Sequence, residues 1–492
     1  MSHQLKVGLE IHTQLKTARK LFSLSHNNTS ILLTKPNSQV SFFDVSLPGT
    51  QPRLNPQVVL YALKCAIAMN CRINAVSRFD RKHYFYGDQP LGYQITQRYH
   101  ALANEGKVVL SKKYDGLPHD TTIGIEQIQI EQDTGRSLYK LGDGSTDVDF
   151  NRSNIPLIEM VTKPDFEDVE QVRSFIKKYS RMLQNLDVCT GELDTGAIRV
   201  DVNVSIDKYP RIELKNIPTT SAIVNAIRYE YKRQCDVVNE GGSIRDVETR
   251  GWDGKRTYRL RSKEDSIDYR YMPDPELPAL KLDIADILPK LKKTLPLSVE
   301  RKMDKLMTQY GLKLRDANIL LNDPILLRYY LDLYDEVYSK RSLHNMDNPI
   351  NWLVHDFMGC LSKSNLKFSY NILSVKEFAE FLELIDNGTV TKQNAKLLLM
   401  HLVNNRNDQK VPLTKLVNDF NMNSVNDDES QDKLIEEICN KVINGNSKVL
   451  KDIVERGKQS KINYLIGQCM RACRGRIEAP KFEKQLKRKI LE

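Results

Sequence analysis

Residues 196–205, Gly-Ala-Ile-Arg-Val-Asp-Val-Asn-Val-Ser, alternate apolar and polar side chains. A period of two belongs to a β-strand, which puts Arg199, Asp201, Asn203 and Ser205 on one face and the valines on the other. The alternation recurs at Gly8-Leu9-Glu10-Ile11-His12-Thr13-Gln14, where Glu10, His12 and Gln14 share a face. It recurs at Arg211-Ile212-Glu213-Leu214-Lys215-Asn216, just past a Tyr209-Pro210 turn, so this segment and 196–205 read as a hairpin. In residues 124–133 the polar set is Gln129, Glu131 and Asp133. A carboxylate and an imidazole two residues apart can bind a metal or move a proton, although a solvated strand face is the plainer reading of any one such pair. Strand faces that carry Asp, Glu, Arg, Lys and Asn together suit the floor of a site for metal and phosphate better than a simple solvent face.

The surrounding residues 5–290 read as mixed α and β with frequent turns. Asn55-Pro56 opens a helix with Pro at its first position, and Val58, Val59, Ala62, Leu63, Ala66 and Ile67 form its apolar stripe. A second helix is expected over 164–186, with Asp165 near its start, and a third over 222–239, stopped by Gly241-Gly242. Asp147-Val148-Asp149 and Pro156-Leu157-Ile158-Glu159 add acidic positions. Pro273, Pro275 and Pro278 make a stiff exit from this region.

From about Leu295 glycine thins and helical periodicity takes over. Helices are expected over 326–337, 376–386, 392–403 with Thr391 as N-cap, 434–443 and 446–455, with an acidic loop at Asp427-Asp428-Glu429. The class is therefore α+β: a mixed α/β domain over 1–290, then all-helical C-terminal domains over 291–410 and 411–492.

Charge points to an anionic partner. The chain of 492 residues carries a net +10, which favours nucleic acid or phosphate but also suits an ordinary soluble protein. Residues 78–97 crowd basic residues, aromatics and amides together, the mixture that meets phosphates and stacks on bases or, equally, an aromatic core with a basic rim. Residues 461–492 hold nine Lys/Arg against three Glu. The eight cysteines form no Cys-x-x-Cys and read as reduced thiols. No apolar run is long enough for a membrane span, and no secretory or transit-type segment precedes the first strand as the chain is written. There is no phosphate-binding Gly-rich loop, no His-Glu-x-x-His and no Gly-x-Ser-x-Gly elbow. Any chemistry would rest on carboxylates, a histidine and a hard metal ion, and a nucleophilic Ser or Cys would have to come from another polypeptide.

These phrases together resemble the B subunit of the tRNA-dependent amidotransferases that convert Glu-tRNA(Gln) to Gln-tRNA(Gln). The likeness is carried by Gly8-Leu-Glu-Ile-His12, Leu47-Pro-Gly49, Phe79-Asp-Arg-Lys82, Tyr84-Phe-Tyr86, Gly92-Tyr-Gln-Ile95, Asn151-Arg-Ser153, Pro156-Leu-Ile-Glu159, Arg199 with Asp201-Val-Asn-Val-Ser205, Glu213-Leu-Lys-Asn216, Glu248-Thr-Arg250, Arg261-Ser-Lys-Glu264 and Asp268-Tyr-Arg-Tyr271. Asn351-Trp-Leu353 and Gly467-Gln-Cys-Met470 extend it more loosely into the C-terminal half.

The resemblance implies a cradle-shaped catalytic domain, a helical domain and a helical tail that helps bind tRNA. It implies that ATP and Mg²⁺ serve to phosphorylate the γ-carboxylate of tRNA-bound glutamate, and that ammonia from a partner, the A-type amidase (glutaminase) subunit, displaces the phosphate. A small third subunit, either the usual C-type or a fungal replacement, and Glu-tRNA(Gln) complete the partners. On this resemblance Glu10, His12, Glu159 and Glu213 are expected as metal or metal-water ligands, with Glu131 and Asp201 of second rank. Arg199 and Lys215 are expected to hold phosphate charge, and Asp201, Arg81 and Lys82 to bind cofactor, the latter two within a stretch, 81–97, that faces the tRNA acceptor end or the ammonia route.

The chain departs from the family pattern in places. Gln129-Ile130-Glu131-Gln132-Asp133 stands where the family shows His-x-Glu-Glu-Asp, Gly87 where it favours Pro, and Pro218 where it favours Asn. With a Lys/Asn-rich composition this drift implies a fungal mitochondrial member, acting in the matrix. The two amides also prompt an alternative, a tRNA-binding scaffold without kinase function.

Overall fold

The computed structural model describes residues 3–27, 34–140, 142, 144–244, 247–261, 268–341, 343, 348–405, 411–424, 428–454 and 459–491. The chain divides into two compact units, Met1–Lys302 and Met303–Glu492.

The first unit is built on a nine-stranded sheet. At its centre runs the opening strand, Leu5–Gln14, antiparallel to Ile198–Ile206 on one side and Pro156–Thr162 on the other. Beyond Ile198–Ile206 come Ile212–Leu214, Glu248–Trp252 and Thr257–Arg261; beyond Pro156–Thr162 come Thr121–Gln132, Ala103–Leu110 and Arg72–Ile73. The expected hairpin is present, with Val202 opposite Leu214 and Asn203 opposite Glu213. Ile212–Leu214 and Glu248–Trp252 run parallel, and a parallel pair needs a crossover, which the helix Thr220–Asn239 supplies.

The alternation sorts the two faces of this sheet. Leu5, Val7, Leu9 and Ile11 are buried with Val200, Val202 and Val204 against the helices Pro56–Ala68, Val169–Asn185 and Thr220–Asn239. One polar group enters this core paired: Thr13 Oγ1 lies 2.8 Å from the Tyr179 hydroxyl. The helix expected over 164–186 starts later, at Val169, capped by Asp168. Residues before it are recruited elsewhere. The Phe166 carbonyl accepts from Val7 N at 2.9 Å, and the Asp165 carboxylate accepts from Gly124 N at 2.8 Å, so Asp165 ties the segment to the sheet instead of starting the helix.

A three-stranded sheet, Asp80–His83 between Tyr93–Thr96 and Met272–Pro273, packs beside Thr121–Gln132. A buried ion pair anchors the loop region before the first helix: Lys20 Nζ lies 3.2 Å from Asp44 Oδ2, both side chains fully buried, and the Phe150 carbonyl and Asn154 amide close the network.

The second unit is helical, with two separate apolar clusters. One gathers residues between Leu306 and Val417 around Tyr329, Tyr330, Phe357, Phe378 and Phe381. The other gathers Ile435, Cys439, Leu465, Cys469, Phe482 and Leu486. Thr391 caps Lys392–Asn404 as expected, and its hydroxyl donates to the Gly475 carbonyl at 2.6 Å. The expected helices at 326 and 376 are Pro324–Asp335 and Val375–Asp386, the second closed by a Ser374–Glu377 capping box. Asp428 and Glu429 begin a helix, Asp428–Gly445, and do not form the expected loop; Asp427 lies outside the described residues, as do Glu455 and the Ser262–Glu264 part of the Arg261 motif. Among the described residues no helix is long and apolar enough to cross a membrane.

Candidate active site

Strand register turns the separate alternations into one surface. His12 stands opposite Arg199 on one neighbour and Glu159 on the other, and Glu159 stands opposite Gln129. The row Arg199–His12–Glu159–Gln129 therefore crosses four strands on the face away from the helices. In the next row Glu10 is opposite Asp201, and beyond it Asn203 is opposite Glu213, which is opposite Thr249. On the other side Leu157 sits between Gln14 and Glu131.

His12, Glu131 and Glu159 converge. The His12 Nε2 is 3.4 Å from Glu131 Oε1 and 3.9 Å from Glu159 Oε2, and one ligand atom from each of the three lies within 4.8 Å of the others. Glu131 is buried and receives the Gln94 amide at 2.8 Å. Glu159 receives the amide of Gln129, whose own oxygen accepts from Gln127 at 2.9 Å. Burial works against the charged imidazole, but Glu159 and Glu131 outweigh it and hold His12 at about 9. Burial and the Glu131 charge push the Glu159 carboxyl up. Glu131 resists its own burial through the His12 hydrogen bond and the charge of Lys82, and is held low. Lys82 is half-buried yet kept charged by Glu131 and Glu159. The two carboxylates of this half-enclosed site form an oxygen donor pair that fits a divalent cation, and His12 can join as a ligand once it gives up the proton they hold on it.

A second charged group lies across the first strand. Lys215 Nζ is 3.2 Å from Asp201 Oδ2 and 3.1 Å from Glu213 Oε1, while Glu213 also receives the Thr249 hydroxyl at 2.9 Å. Asn203 donates to Glu10 at 3.0 Å. Burial disfavours the ammonium, but Asp201 and Glu213 hold the Lys215 pKa well above its ordinary value. Arg199 is clasped by Asp133 at 3.1 Å, which with burial against it still raises the guanidinium's affinity for its proton.

The nine-stranded sheet thus carries Glu10, His12, Glu131, Glu159, Arg199, Asp201 and Glu213 on one face, with Lys215 directly after its strand. It does not gather all the expected metal ligands at one point. Glu10 and Glu213 stand outside the three-residue cluster, and Glu213 is engaged by a lysine. Lys82, on the smaller sheet, feels the charges of Glu131 and Glu159 while its ammonium lies over the Tyr269 ring, whereas Arg81, its neighbour on the strand, pairs elsewhere. Arg81 Nε is 2.7 Å from Asp274 Oδ2, Nη2 is 3.2 Å from Glu276, and the guanidinium lies 4.1 Å over the Tyr93 ring. Of the two amides that depart from the family pattern, only Gln129 is at the site. Gln132 points to the opposite face, where its oxygen accepts from Ile95 N at 3.0 Å.

Asp133 and Gln94 belong to the site and were not expected there. The alternation through Gln129, Glu131 and Asp133 was the available signal for Asp133. Nothing local links Gln94 to Glu131, because their meeting depends on how two sheets pack.

Comparison with known proteins gives a consistent likeness. Residues 5–287 match the GatB/GatE catalytic domain and residues 332–490 the GatB domain. The chain is 48% identical to a protein of Komagataella phaffii named as the mitochondrial B subunit of glutamyl-tRNA(Gln) amidotransferase, over all of this chain and 99% of that one. It is 45% identical to the protein of the same name in Eremothecium gossypii, over 98% of this chain and 94% of the other, and 44% identical to that of Candida glabrata, over 100% and 94%.

Proposed function

The chain belongs to the GatB family of glutamyl-tRNA(Gln) amidotransferase B subunits, and from this premise we propose that its polar sheet face is where the glutamate of Glu-tRNA(Gln) is activated. It is the B subunit of a tRNA-dependent amidotransferase and carries the family's catalytic domain. The observation that supports the reading is the His12–Glu131–Glu159 cluster, flanked by Lys82 on one side and Arg199 on the other.

A carboxylate is a poor acyl donor. On this reading a γ-carboxylate oxygen attacks the γ-phosphorus of ATP, ADP leaves, ammonia adds to the acyl carbon, and phosphate departs with the C–O bond electrons. Mg²⁺, held by Glu131, Glu159 and His12 with Glu10 in the adjoining row, would neutralise the phosphoryl oxygens. Arg199 and Lys215 offer fixed positive charge to the phosphates from the opposite side of the first strand. Asp133 and the Asp201–Glu213 pair keep those cations in place. The amide of Gln129 orients Glu159 without adding charge, so the loss of an ionisable group at position 129 leaves the three-residue cluster whole.

Ammonia would come from the A-type amidase (glutaminase) subunit, with a small third subunit, C-type or a fungal replacement, completing the complex. The mitochondrion is the compartment by the names of the relatives, and the matrix is the finer assignment we propose. The test is ATP hydrolysis by the reconstituted complex with and without Glu-tRNA(Gln). A Glu-tRNA-dependent ATPase lost in Glu131→Gln supports a catalytic role; no such ATPase in the unmodified complex favours a scaffold.

A further inference from the structure

The segment between the opening strand and the first helix has an uneven charge. Over residues 18–54 Arg19, Lys20, Lys35 and Arg53 stand against a single acid, Asp44, which is buried with Lys20. Two turns of this segment share an interior. Phe22 and Phe43 are both buried and meet edge to face, their centroids 6.4 Å apart. Asp44 fastens the second turn. Its carboxylate accepts from Ser41 N at 2.8 Å and from the Asn154 amide at 2.9 Å, and its carbonyl accepts the Ser153 hydroxyl at 3.0 Å. Leu47 N closes the turn on the Phe42 carbonyl at 2.9 Å, with Ser46 held at φ +57°.

The same fastening turns four apolar side chains outward. Leu24 is 69% exposed and Phe42 70%, and Val45 and Leu47 are exposed beside Phe42 on its turn. Single exposed apolar residues are ordinary, but several on one anchored pair of turns, bordered by polar groups, mark a surface that another molecule covers. The border is basic. Arg19 is exposed and donates from Nη1 to the Leu24 carbonyl at 2.7 Å; Arg53 is exposed and donates from its backbone N to the Phe22 carbonyl at 3.0 Å. A backbone already fixed beneath the contact side chains loses little freedom when a partner arrives, so more of the contact energy is left for binding.

Charge and side-chain shape together choose the class of partner. The basic border asks for an anionic one. Three of the four outward side chains are aliphatic, and these give a nucleobase no flat face to stack on, whereas they pack well against the aliphatic residues of a protein. We propose that the surface formed by Leu24, Phe42, Val45 and Leu47 docks an acidic, aliphatic segment of another polypeptide of the amidotransferase complex. The proposal rests on the reading of this chain as one subunit of a complex whose other subunits are separate chains. The apolar side chains supply the buried centre of the contact, and Arg19 and Arg53 steer the acidic partner onto it.

The test puts the photo-crosslinker p-benzoylphenylalanine in place of Phe42, reconstitutes the complex from its purified subunits with Glu-tRNA(Gln) present, and reads the product by mass spectrometry. The expected product joins this position to a partner-subunit peptide that carries Asp or Glu among aliphatic residues. A product with the tRNA, a product with a second copy of this chain, or no product overturns the proposal. In parallel, Phe42→Ser/Leu47→Ser changes side chains that stand outside the interior, so the full chain should keep its Tm. Its affinity for the partner subunits should fall about tenfold or more. Arg19→Glu/Arg53→Glu should slow association and weaken its dependence on salt. An unchanged affinity in the double serine variant overturns the docking surface alone. Failure of the unmodified subunits to assemble overturns the underlying reading instead.

Discussion

His12 Nε2 and Glu131 Oε1 lie 3.4 Å apart across two strand boundaries, and this pair charges its own site. His12 and Glu159 are both raised above their unfolded values, His12 from 6.5 to about 9. A raised group stabilises the fold fully below its unfolded pKa and loses that contribution as pH climbs through the folded one. With a chelator present, the chain should therefore lose stability between pH 6.5 and about 9, by at most about 3 kcal/mol from His12. Calorimetric Tm across that window, flattened in His12→Gln, is the check.

Glu131→Gln and Glu159→Gln keep side-chain shape and remove charge. Each should lower transamidation about 10²- to 10³-fold, as loss of a preorganised charge commonly does. Glutaminase activity of the partner should remain measurable in the same complex. Near-normal transamidation in both variants would remove the cluster from the mechanism. Glu10→Ala and Glu213→Ala test the adjoining rows in the same assay, and full activity in either would release that residue from the site.

Arg81 offers the opposite case. Its partners are Asp274, Glu276 and Tyr93 rather than the cluster. Arg81→Ala should lower Tm because the buried Asp274 carboxylate keeps only the Glu276 and Leu277 backbone N–H groups, a loss of at most about 3–5 kcal/mol. The kcat of the folded fraction should stay close to that of the unmodified protein. Lys82→Ala should do the reverse, and equal effects of the two variants on kcat would contradict the opposite orientations.

The Lys20–Asp44 pair is fully buried. Asp44→Ala strands an ammonium that burial already pushes toward its neutral form, and about 3–5 kcal/mol of stability should go with it. Urea unfolding of the single variant and of Lys20→Met/Asp44→Leu separates the cost of the lone charge from that of the pair: the double variant should recover most of the loss.

Much of the site face was legible because period-two alternation says which residues travel together. Glu10 with His12, Arg199 with Asp201, and Glu213 with Lys215 could be grouped without coordinates. Which groups meet could not, since strand order is set by pairing between segments 143 to 201 residues apart, and no local pattern records it. That is why the contacts of Glu213 with Lys215 and Thr249 were not legible in the sequence. Arg81 and Lys82 show the same limit: alternation separates them but does not say which one turns inward. The late start of the helix at Val169 has the same origin, because pairing between Val7 and Phe166 overrides the local helical pattern.

The strand that is translated first sits in the middle of the sheet, between partners that begin at Pro156 and Ile198. During synthesis Leu5, Val7, Leu9 and Ile11 thus wait, uncovered, for some two hundred residues to emerge. Such long-range closure folds slowly and leaves an unpaired apolar edge open to other chains. The site around His12 is then among the last parts of the domain to exist, and a chaperone that shields Leu5–Gln14 would protect activity more than one acting on the helical unit.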